Sequence, residues 1–167
     1  PGKTYDGTTA VDSKDIILPE SIPGLTFGTP EYTDINAGDV IVRVPVTLNE
    51  GTVPGNYAFT VNGQDAQILG DAESGYYIEL QGSISKKEIT VSVSAELEYS
   101  GEVFEHAYGD PDFTGVDGDY LTGTVVTKGS DAKAYSGAGL TYSNIVIKNG
   151  ETDVTGNYVV TYDVDNT

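Results

Sequence analysis

Between Asp39 and Leu48 the chain alternates strictly. Val40, Val42, Val44, Val46 and Leu48 fall on one face, and Ile41, Arg43, Pro45 and Thr47 on the other. A period of two over this length predicts a strand with one dry and one wet face. Pro45 has no amide hydrogen, which predicts a sheet edge or a bulge at that point. Ile89, Val91 and Val93 alternate in the same way with Thr90, Ser92 and Ser94, and so do Tyr158, Val160, Tyr162 and Val164 with Val159, Thr161 and Asp163. Turn residues agree with this reading. Asn62-Gly63 separates Tyr57–Val61 from Asp65–Leu69, and Asn149-Gly150 follows Asn144–Lys148; both dipeptides suit the positive φ angles of a type I′ hairpin turn. Asp12–Pro30, punctuated by Pro19, Pro23 and Pro30, reads as an extended, loop-rich excursion. The pattern as a whole predicts an all-β chain with almost no helix.

Internal echoes divide it. Lys3-Thr4-Tyr5-Asp6-Gly7-Thr8 is answered by Leu97-Glu98-Tyr99-Ser100-Gly101-Glu102, and Ser74–Leu80 by Thr155–Thr161, an aromatic-led strand after a Gly turn. These echoes predict two tandem antiparallel β units, 1–94 and 95–167, the first a larger variant. Ig-like sandwiches are the favoured architecture, with a β-grasp-like fold as the alternative. On this alignment Ile89–Val93 closes the first unit and nothing equivalent follows Tyr158–Val164. The second unit is therefore expected to lack its final strand.

Composition sharpens the picture. Of 167 residues, 21 are Gly and 12 are Tyr, the usage of short strands joined by tight turns. Eight Lys and Arg against 26 Asp and Glu give a net charge of −18. Such a charge repels nucleic acid and anionic membrane surfaces and favours a monomer. The absence of Cys removes disulfides, thiolate metal sites and a Cys nucleophile, and the one histidine, His106, excludes a multi-His zinc site. No apolar run approaches the length of a spanning helix, so no direct membrane insertion is expected. The opening Pro-Gly-Lys is read as the start of a piece of a longer protein.

Taken in order, Lys3-Thr4-Tyr5-Asp6-Gly7-Thr8, Gly118-Asp119-Tyr120-Leu121-Thr122-Gly123, Val154-Thr155-Gly156-Asn157-Tyr158 and an Ile-Thr-Val strand resemble the YDG and MBG repeat modules of bacterial surface proteins and adhesins. The second unit resembles them over most of its length, and the first at its two ends. This resemblance implies an extracellular, all-β array on a cell-wall-associated protein, typically of Gram-positive bacteria. It implies no catalytic residues.

Candidate chemistry is sparse. Asp110, Asp112, Asp117 and Asp119 supply the oxygens that a Ca²⁺ ion takes. Their register fails an EF-hand loop, since Thr114 and Leu121 stand where ligands are needed, and a solvated acidic loop with Asx-turns is the preferred reading. A Ser-His-Asp triad would have to recruit His106 without a nucleophile-elbow sequence. Tyr57, Tyr77 and Tyr158 lead strands, and Tyr5 and Tyr99 mark unit starts, so packing with the hydroxyl on a backbone group is favoured over a sugar platform. Lys3, Lys86, Lys87 and Lys148, with Asn56 or Asn157, are the ingredients of a self-formed amide cross-link. The expectation is a non-catalytic stalk region, not an enzyme, with no cofactor other than Ca²⁺ considered. Its partners are expected to be adjacent repeat domains, and the alternative is a module that binds host or cell-wall glycan or protein.

Overall fold

The computed structural model describes residues 1–95, 102–108, 113–129 and 140–166. The chain is all-β and divides into two units, Pro1–Ser85 and Lys86–Thr167.

The first unit contains β1 (Gly2–Thr4), β2 (Leu25–Phe27), β3 (Glu31–Tyr32), β4 (Gly38–Leu48), β5 (Phe59–Val61), β6 (Gln64–Ala66), β7 (Leu69–Asp71) and β8 (Gly75–Ser85). β4 and β8, each of 11 residues, pair antiparallel through the middle of the sheet. The alternation in β4 is realised side chain by side chain, with Val40, Val42, Val44 and Val46 buried against Ile78, Leu80 and Ile84 of β8. Burying each such aliphatic side chain stabilises the fold by about 1.5–3 kcal/mol. Tyr5, Ile16, Leu25, Tyr32, Val61 and Ala66 complete this core.

β4 is an interior strand, not an edge, and Pro45 is tolerated there for a local reason. β2 pairs with Val46–Leu48 and β3 with Val42–Arg43, so Pro45 faces the interruption between them. The chain bulges at that interruption. Only the Pro45 carbonyl is used, accepting the Gly28 amide at 2.7 Å. At Asn62-Gly63 the φ angles are 50° and 76°, the double positive value a type I′ turn requires.

The second unit contains β9 (Lys87–Ala95), β10 (Phe104–Tyr108), β11 (Asp119–Gly129), β12 (Leu140–Asn149), β13 (Thr152–Asp153) and β14 (Tyr158–Asn166). β10, β11, β12 and β13 form an antiparallel sheet in that order. Val93 of β9 and Val125 of β11 pack together, with Ile145 and Tyr162 against them. Asn149 pairs with Thr152, so the hairpin turns on Gly150 and Glu151, one residue later than the dipeptide suggested.

Among the described residues antiparallel pairing dominates, with one parallel pair in each unit. β1 runs parallel to β8, and β9 parallel to β14. This corrects the expected boundary at residues 94 and 95. The strand containing Ile89–Val93 does not close the first unit; it opens the second by pairing along the whole of β14. The strand that the alignment placed at the end of the first unit thus lies beside β14 in the second. A single residue, Lys86, separates β8 from β9.

Candidate functional site

The Tyr5-Asp6-Gly7 stretch of the first unit forms a loop closed around one ammonium group. Lys3 leaves β1 with its side chain largely covered, and its Nζ donates to Asp6 Oδ1 at 2.7 Å, to the Thr8 carbonyl at 2.6 Å and to the Ala10 carbonyl at 3.2 Å. It also lies 5.2 Å from the centre of the Tyr32 ring. Gly7, at φ 75°, makes the left-handed bend that brings Thr8 back over Lys3. The Asp6 carboxylate is raised by burial but lowered further by hydrogen bonds from Lys3 and Thr8, and the net effect holds it below its ordinary value. With its donors directed at Asp6, Thr8 and Ala10, Lys3 ties the loop to the sheet.

The acidic residues singled out for Ca²⁺ are divided. Asp110 and Asp112 lie outside the described residues, and Asp117 is solvent-exposed. Asp119 opens β11, where both of its oxygens are engaged. Oδ2 accepts the Tyr158 hydroxyl at 2.5 Å and Oδ1 accepts Asn149 Nδ2 at 2.7 Å. The same Tyr158 hydroxyl accepts the Val116 amide at 2.9 Å, and Phe113 stacks edge-on against the ring at 5.9 Å. Among the described residues no cluster of three metal-ligating side chains occurs.

Tyrosines elsewhere reach backbone carbonyls, as Tyr57 does to Pro23 at 2.7 Å and Tyr120 to Gly150 at 2.6 Å. His106 lies in β10, paired with Thr127 of β11. Asx-turns engage acidic residues in loops and at strand ends, where Asp6, Asp12, Asp34, Asp71 and Asp153 each accept the amide two residues on.

The outer face of the first unit carries an arrangement that sequence reasoning missed. Arg43, the one arginine of the chain, projects from β4 between Glu31 of β3 and Glu79 of β8. Its guanidinium donates to Glu79 Oε1 at 2.7 Å and lies 4.1 Å from the centre of the Tyr77 ring. A groove of about 300 Å³ beside it is lined by Thr29, Glu31, Tyr32, Thr33, Arg43 and Pro45. The period-two pattern placed Arg43 on the wet face; its neighbours depend on the β4–β8 register. Chemically the groove offers the Arg43 guanidinium, the Glu31 carboxylate, hydroxyls and a proline ring. No family model, curated protein or solved structure matches the chain.

Proposed function

We propose that this chain is a non-catalytic stalk region of an extracellular, cell-surface or wall-attached bacterial protein, whose β units extend or present other domains. One observation supports the reading above the others. In the second unit β9 and β14 are parallel neighbours along the whole of β14, so the chain enters at one end of that pair and leaves at the other, whereas in the first unit β1 lies parallel only to Ser83–Ser85 at the end of β8. A fold organised in this way passes the chain onward, and a second unit follows after one residue. Resemblance to YDG and MBG modules points in the same direction.

The Arg43 groove favours a second reading, direct recognition of a neutral glycan. Glycan-array and titration experiments on the whole chain separate the two. A spacer gives no saturable binding. Saturable binding that is lost in Arg43→Ala would replace the stalk reading with the glycan-binding one.

A further inference from the structure

We propose that the β9–β14 pair is a mechanical clamp that holds the second unit folded under tension; its physiological load rests on the stalk reading, while its mechanics rest on register alone. The two strands pair in parallel from Lys87 opposite Tyr158 to Ala95 opposite Asn166. Tension carried along the chain pulls β9 toward its amino end and β14 toward its carboxyl end. In parallel neighbours these directions are opposed along the strand axis, so the ladder is loaded in shear. Every hydrogen bond of the ladder then shares the load and they must fail together. A ladder pulled apart from one end is loaded one bond at a time and opens at low force.

Packing protects the ladder. Ile89, Val91 and Val93 are buried beneath it, and Val93 packs on Val125 together with Ile145 and Tyr162, so on this face water is kept from replacing the bonds as they stretch. The start of β14 is bolted to β11 through Tyr158 and Asp119. Forced unfolding is governed by the rate of crossing the unfolding barrier, so elements that fail together raise the rupture force even where equilibrium stability is ordinary.

The test uses the full chain, whose lack of native Cys makes introduced thiols unique attachment points. Glu88→Cys with Asp163→Cys loads the pair in shear, and Glu88→Cys with Val159→Cys opens it from one end; all three positions are exposed, and Val159 lies directly opposite Glu88. Thermal melts confirm that both variants fold. In single-molecule pulling, the shear pair is expected to rupture at a force several-fold above the other. Equal forces overturn the clamp and leave the spacer reading intact. A high shear force in a chain that also binds glycan saturably keeps the clamp and removes the reading of the chain as a passive spacer.

Discussion

Tyr158 and Asp119 join the first residue of β14 to the first residue of β11, the hydroxyl donating to the carboxylate at 2.5 Å. The tyrosine is buried, and its oxygen also accepts the Val116 amide, so one atom ties together a loop and two strands that are far apart in the chain. Removing that atom alone, in Tyr158→Phe, keeps the ring packed on Phe113 and leaves the Asp119 oxygen and the Val116 amide to find water. A loss of about 1–3 kcal/mol is expected, since a hydrogen bond to a charged group is removed. Urea denaturation of the variant measures it, and an unchanged midpoint would show that the contact contributes nothing.

Gln64 does the work of a strand residue with its side chain. Its Nε2 donates to the Gln81 carbonyl at 3.0 Å and its Oε1 accepts the Gln81 amide at 2.7 Å, completing the outer side of β8 where no strand lies. Gln64→Glu retains the shape but removes the donor and sets a carboxylate against a carbonyl. Faster hydrogen exchange at the Gln81 amide and a loss of about 1 kcal/mol are expected, while Gln64→Ala exposes the same amide without the repulsion.

The Tyr32 hydroxyl is buried without a hydrogen-bond partner. Burial of the ring, followed by the charges of Asp15 and Asp6, raises its pKa, so the group stays neutral. Tyr32→Phe removes an uncompensated polar atom and preserves the ring beneath Lys3. Thermal stability should be unchanged or higher, because deleting an unpaired buried group restores what its desolvation cost. A drop in melting temperature would mean that the hydroxyl has a partner after all.

Acid should destabilise the chain despite its charge. Asp71 is held low by the amide and hydroxyl of Ser74 and then the Glu73 amide, Asp153 by the Thr155 hydroxyl and amide, and Asp34 chiefly by the Asn36 amide; Asp6 is held low by Lys3 and Thr8 against its burial. Depressed native values mean that the unfolded chain binds more protons, so this stability is present above the ordinary value of 3.8 and is lost as pH falls through the native values. Self-repulsion at a charge of −18 has the opposite trend, since protonation relieves it. Denaturation midpoints that fall below pH 3.8 identify the hydrogen-bonded carboxylates as dominant; midpoints that rise there would give the decision to repulsion.

The revised boundary makes opposite predictions for two truncations. A fragment of residues 86–167 retains β9 beside β14 and should unfold cooperatively, whereas one of residues 95–167 loses the strand that pairs with all of β14. Cooperative melting of the shorter fragment would restore the boundary read from sequence.

Local features were the legible ones. The valines of β4 announce their shared burial because the period-two pattern is set by the strand's own geometry, and Asn62-Gly63 announces its turn because few residues tolerate positive φ. Partners were not legible. Nothing in Ile89–Val93 states that it pairs with Tyr158–Val164 instead of closing the sheet before it, since an alternating strand fits either neighbour. Lys3 stood out as part of a motif, yet its role emerged only when the loop from Asp6 to Ala10 folded over it. Asp119 was read for its capacity to hold a cation, whereas the groups that engage it come from β12 and β14.

The pairing of Gln64 with Gln81 bears on how safely such a fold can be repeated. Chains that carry similar units in succession keep look-alike strands close to one another throughout synthesis and refolding, and mispairing between neighbours is their characteristic failure. Open backbone on β8 would be the template for it. By occupying the amide and the carbonyl of Gln81 with a side-chain amide from the same unit, Gln64 leaves a passing strand nothing to bond at that point.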